Sequence, residues 1–203
     1  RKKLAGAKST IEKLQEWLRG KCGQSEAEAR SCGGSCSMVE GLGSVEAAKQ
    51  ALEELNGLLA DARGLPVGGF AISCAEAAQQ RLQAEISADD QLREVATSTD
   101  PLVIGKAVAR ARDVGLANQR LTVQLSKRQE ALKVQLPIVE SLRKGIKAGV
   151  AQCQAALDVV AAAGLAKKKE EWIPELQGAN LAEEAAAKVA AEEAAKRKAV
   201  EEA

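Results

Sequence analysis

Apolar residues recur at helical spacing from one end of the chain to the other. Ile11, Leu14, Trp17 and Leu18 fall on one side, with Lys8, Glu12, Lys13 and Glu16 elsewhere, so the pattern predicts an amphipathic helix over about residues 5–19, ended by Gly20 and Gly23. A polar stretch with Cys22, Cys32, Gly33, Gly34 and Cys36 follows and reads as a linker, with one short helix around Ser25 to Arg30. Ser44 then stands as a cap before Val45, Ala48, Leu52, Leu55, Leu58 and Leu59, a helix that closes at Gly64. A return helix after Pro66-Val67-Gly68-Gly69 uses Ile72, Cys74, Ala78, Leu82 and Ile86. Ser87-Ala88-Asp89-Asp90 reads as the start of a separate short helix with Leu92, Val95 and Ala96, broken by Thr97 to Thr99.

Asp100 to Leu116 is the most fully specified stretch. Asp100 caps, Pro101 occupies the first turn, Ile104, Ala107, Val108 and Ala111 supply the apolar face, and Gly115 ends the helix. The same Gly-Leu ending stands at Gly64-Leu65 and Gly164-Leu165, a degenerate repeat of about fifty residues. After Gly115 a helix uses Leu121, Leu125, Leu132 and Leu136, with Lys127, Arg128 and Glu130 turned outward. Pro137 suits the first turn of a new helix, which runs through Val139, Leu142, Ile146, Val150, Cys153, Leu157 and Val160 to Gly164. Gly145 and Gly149 lie four apart on it, each costing about 1 kcal/mol against Ala, and a closely packed neighbouring backbone is the expected compensation. Beyond Gly178, Ala, Glu, Lys and Arg take over, with Glu184–Lys188, Glu192–Lys196 and Glu193–Arg197 spaced as opposite charges four apart.

The fold class is therefore all-α: antiparallel helical hairpins forming a bundle or short solenoid-like array, with an extended charged C-terminal helix. The expected division is an N-terminal helix and Cys/Gly/Ser-rich linker (1–43), a hairpin array (44–178) and a protruding Ala/Glu/Lys-rich helix (179–203). The pattern is similar to helical-hairpin repeat arrays, whose stacked units offer extended surfaces to other proteins.

Composition narrows the function. The chain of 203 residues contains no histidine and no tyrosine, and Trp17, Trp172 and Phe70 are its aromatics, so the core has to form by close approach of slim helices. Lacking histidine, it lacks the commonest general base, metal ligand and haem ligand, and a di-iron site built from Glu-x-x-His pairs is excluded. A net charge of +1 with both signs interspersed gives no field for nucleic acid. The most apolar segment, Val150 to Leu165, is interrupted by Gln152, Gln154 and Asp158, so no transmembrane segment is expected. The chain reads as soluble, intracellular or organellar. Because it starts at Arg1 and its one Met is Met38, removal of a targeting segment or membership of a longer protein is expected.

The spacing of Cys22 and Cys32 resembles one half of the paired-cysteine motif of small helical-hairpin proteins of the mitochondrial intermembrane space. The second pair that such proteins need has no counterpart in Cys36, Cys74 and Cys153. Reduced thiols are expected, a zinc pattern is not matched, and Cys74 and Cys153 sit at core positions. Gly33-Gly34-Ser35 and Gly41-Leu42-Gly43-Ser44 read as turn and cap chemistry, since no strand precedes them and no Lys follows in phosphate-binding order. The Lys167–Lys169 cluster, followed by Glu170 and Glu171, reads as a solvated face.

The leading expectation is a non-catalytic structural or accessory subunit, without a cofactor, that binds other proteins of a larger assembly through helix faces. Its candidate contacts are Trp17, Trp172, Gly145, Gly149, Ala187 and Ala191. For each Trp a core position is the preferred reading, ahead of a partner contact. The alternatives are a helical carrier of an apolar small ligand or pigment and, third, a histidine-free cysteine or carboxylate enzyme.

Overall fold

The structure, a computed structural model, describes residues 2–22, 44–65, 69–166 and 169–201. These form seven α-helices and two short 3-10 turns, with no strand among the described residues. The helices are α1 (Lys2–Cys22), α2 (Val45–Ala62), α3 (Gly69–Glu94), α4 (Pro101–Asp113), α5 (Arg120–Ala148), α6 (Val150–Ala162) and α7 (Gly178–Glu201). The fold is all-α, and its helices pack into bundle-like groups. Two compact units divide the chain: one takes residues 1–94 and 107–122, the other residues 95–106 and 123–203.

In the first unit α1 packs on α2 and α3, and α2 packs on α3. Leu14, Leu55, Leu59 and Leu82 are fully buried, each contributing about 1.5–3 kcal/mol relative to exposure. Ala48, Ala51, Ala62, Ala75 and Ala78 fill the positions between them. Side chains this short let the helix backbones approach closely, as the scarcity of aromatics requires. In the second unit α6 packs on α7.

Helix ends follow their residues. The Ser44 hydroxyl accepts from the Ala47 amide at 3.1 Å, and the Asp100 carboxylate accepts from the Leu102 amide at 2.8 Å. Gly64, Gly115 and Gly164 all take positive φ, of 100°, 90° and 74°. At the last two the following Leu closes a wide turn: Leu116 N–H donates to Ala111 O at 2.8 Å and Leu165 N–H to Val160 O at 3.1 Å.

Four expectations about helix boundaries need correction. Gly20 does not stop α1, which continues to Cys22. α3 runs unbroken through Ser87–Asp90 because Ala88 and Asp89 lie on its buried stripe, and the Asp89 carboxylate accepts from Arg93 at 2.6 Å instead of capping a new helix. Pro137 sits inside α5 rather than at a helix start. A proline there costs about 3 kcal/mol, offset by the continuous buried stripe Leu132, Gln135, Ile138, Val139 and Leu142. Gly149, with φ 131°, breaks the helix expected to run on to Gly164, so α6 starts afresh at Val150. The short helix expected at 25–30, the glycine-rich 33–43 loop, Pro66 to Gly68, and Lys167 and Lys168 lie outside the described residues.

Candidate functional site

Trp172 is held between the two 3-10 turns, 169–171 and 174–176, by one buried amide on α5. Gln135, 3 % exposed, donates from Nε2 to Glu171 O at 2.8 Å and accepts from the Ile173 N–H at 2.9 Å. Both functions of that amide are satisfied by backbone groups two residues apart, which fixes the strand of chain carrying the indole. The indole Nε1 then donates to Leu165 O at 3.3 Å, tying the ring to the Gly-Leu stop of α6. A Cβ on Gly178 would collide with that ring, so α7 starts where only a glycine fits. Arg128 completes the clamp from α5, donating from Nε to Ser98 O at 3.3 Å and pairing with Glu175 at 3.0 Å. A backbone hydrogen bond at Glu175 and the Arg128 guanidinium hold the Glu175 carboxyl below the usual range. Arg128 is therefore not turned outward, as its place in the pattern had implied.

The other glycine candidates lie where α5 gives way to α6. A Cβ on buried Gly145 would stand 2.9 Å from Gln152 O, so the chain after the Gly149 break folds back against the Gly145 backbone. Lys188 of α7 donates to Ile146 O at 2.5 Å, satisfying a carbonyl in the last turn of α5. That interaction replaces the Glu184–Lys188 pair expected from spacing. Glu192 and Lys196 do pair, at 2.8 Å. Ala187 and Ala191 are exposed, whereas α7 buries only Gly178 and Ala185 and exposes every residue from Glu193 to Glu201.

Trp17, in the first unit, is half-buried against the leucine core and donates from Nε1 to Glu54 at 3.1 Å, with Lys21 4.0 Å from the same carboxylate. Of the six candidate contacts, Ala187 and Ala191 are at the surface, Trp17 and Gly149 are partly covered, and Trp172 and Gly145 are buried. The structure brings Trp172 and the start of α7 together, and Gly145 and the start of α6.

Polar residues of the interior were missed by sequence reasoning. On α3 the order Arg81, Glu85, Asp89, Arg93 is a ladder of residues four apart; its two acids are buried and each pairs with the adjacent arginine, at 3.2 Å and 2.6 Å. The spacing alone could have revealed it. Burial pushes the Glu85 carboxyl above its usual value, with Arg81 opposing the shift, and Asp89 holds the Arg93 guanidinium more firmly protonated. Gln135 sits on an apolar stripe, and nothing in the pattern announced its partners.

Cys74 and Cys153 are buried thiols, and among the described residues no group of three or more Cys, Asp or Glu side chains could hold a metal ion. The side chain of Cys22, and Cys32 and Cys36, lie outside the described residues. Two surface depressions stand out. One of about 320 Å³ lies on the first unit beside Leu52, Ile86, Asp90 and Glu94. The other, of about 480 Å³, lies on the second unit beside Leu136, Pro137, Val139, Arg143 and Leu176. No described helix is long and apolar enough to cross a membrane. No protein-family model matches the chain, and comparison with curated proteins and with solved structures yields no match.

Proposed function

We propose that this chain is a non-catalytic accessory subunit that binds other proteins of a larger assembly through the helix faces of its second unit. One observation carries the reading. Among the described residues, every large apolar side chain left exposed belongs to that unit: Leu102, Val103, Val123, Val134, Val159 and Val200, between 41 % and 77 % exposed. Apolar side chains left exposed on one unit are candidates for the centre of an interface. Ala187 and Ala191 are also exposed, on α7. Trp172 and Gly145 are buried and hold α5, α6 and α7 in place, and Trp17 packs against the core of the first unit.

The test is recovery of the tagged chain from its native source, with mass spectrometry and a size measurement on what comes with it. The accessory reading expects a particle of defined protein composition, and expects the paired change Leu102→Ser and Val134→Lys to reduce that recovery at least tenfold while the far-ultraviolet helical signal is unchanged. A second reading, carriage of an apolar small molecule, draws on the depression beside Leu136, Val139 and Leu176. It would be favoured over the first by recovery of the chain alone with a co-extracted ligand.

A further inference from the structure

Helix α7 carries a stripe formed by Ala186, Ala190, Glu193, Arg197 and Val200, with steps of four, three, four and three residues. That alternation keeps side chains on one face in the manner of helices that pair along their length. All five are exposed, Val200 at 77 %. On the same helix Lys196 pairs with Glu192 and also feels the charge of Glu193, but neither Glu193 nor Arg197 makes an ion pair within 4.0 Å among the described residues. Its four positions from Ala190 to Val200 are complementary to their own reverse. An antiparallel copy centred on Ala195 sets Val200 against Ala190 and Arg197 against Glu193, and repeats both pairings across the two-fold axis. A parallel copy would set Glu193 against Glu193 and Arg197 against Arg197.

We propose that this stripe docks a second copy of the chain, its α7 running antiparallel. Self-complementary order is what selects a second copy over an unrelated helix, because an arbitrary partner has no reason to reproduce the same sequence of apolar, acidic, basic and apolar positions. From Ala190 to Val200 the paired positions extend roughly 15 Å, and so short an interface yields a weak dimer, with a dissociation constant on the order of 100 µM. The inference rests on the reading of α7 as a contact helix and gives it one specific occupant.

Sedimentation of the full chain over a concentration series up to about 1 mM tests it, with the range set by that expected affinity. The wild type is expected to pass from monomer to dimer, and Glu193→Arg and Arg197→Glu are each expected to weaken dimerisation at least tenfold, with helical content checked by circular dichroism. Two further samples restore the complementarity: the double variant Glu193→Arg with Arg197→Glu, and an equimolar mixture of the two single variants. Both are expected to dimerise at wild-type concentrations. A wild type that stays single throughout, single variants that dimerise as the wild type does, or failure of both restoring samples would each overturn the proposal. A chain that enters a multiprotein particle yet never self-associates defeats the dimer alone and leaves the accessory-subunit reading in place.

Discussion

Two buried polar side chains define what single residues contribute here. Thr122, 1 % exposed, has a hydroxyl with no hydrogen-bond partner among the described residues. Burying such a group without compensation costs about 1–3 kcal/mol, so Thr122→Val, nearly identical in shape, is expected to raise stability by about 1 kcal/mol in chemical denaturation. Glu85 behaves differently because its charge is opposed by burial and supported by Arg81. With its folded pKa raised, the folded state binds more protons than the unfolded one between the ordinary carboxylate value and the raised value. The Glu85 contribution is thus fully present below the ordinary value and is lost as pH climbs through the raised one. Glu85→Gln is expected to remove that slope from a plot of unfolding free energy against pH. A slope unchanged by the substitution would assign it to other groups.

At the scale of elements, close approach and backbone satisfaction decide the outcome. Gly57 and Gly145 both lie inside helices, but a Cβ at Gly57 meets nothing within 4 Å, whereas at Gly145 it stands 2.9 Å from backbone that cannot yield. Gly57→Ala is therefore expected to stabilise by about 0.5–1 kcal/mol and Gly145→Ala to destabilise by about 1–3 kcal/mol, a difference of sign readable from two melting curves. Gln135→Leu keeps the volume but leaves the Ile173 N–H and Glu171 carbonyl without their partner. A loss of about 2–4 kcal/mol is expected by denaturant titration.

The same scale explains what could be read in the sequence. Ser44, Asp100 and the glycines of the Gly-Leu stops act through their own backbone and nearest neighbours, so their roles were legible. Pro137 and Ser87 carry equally clear local signals that the structure overrides, because the buried stripes flanking them continue from one side to the other. Gln135 and the Trp172 clamp were invisible for a third reason: their hydrogen bonds span 36 and 38 residues of chain, and no local pattern reports contacts at that range. The glycine pair was read half correctly. Close backbone packing does exist at Gly145, but it comes from the chain that Gly149 turns back.

For the whole molecule, the chain carries no histidine, and Cys74 and Cys153 are buried. The two units differ in the apolar surface they expose. The first keeps every large apolar side chain at least partly covered among its described residues, while the second exposes six. The distal turns of α7 bury nothing, so they lack the tertiary packing from which most helical stability comes.

The chain holds two tryptophans and no tyrosine, one indole in each unit: Trp17 half-open to solvent beside a carboxylate, Trp172 enclosed at 6 % exposure. Nature has thus labelled each half with its own fluorophore. Emission from Trp17→Phe protein should lie to the blue of that from Trp172→Phe protein and should be quenched less by iodide, since its remaining indole is shielded from water. Equal spectra from the two variants would contradict the enclosure of Trp172. With one dye-free signal per half, melting of either can be followed separately in a cuvette.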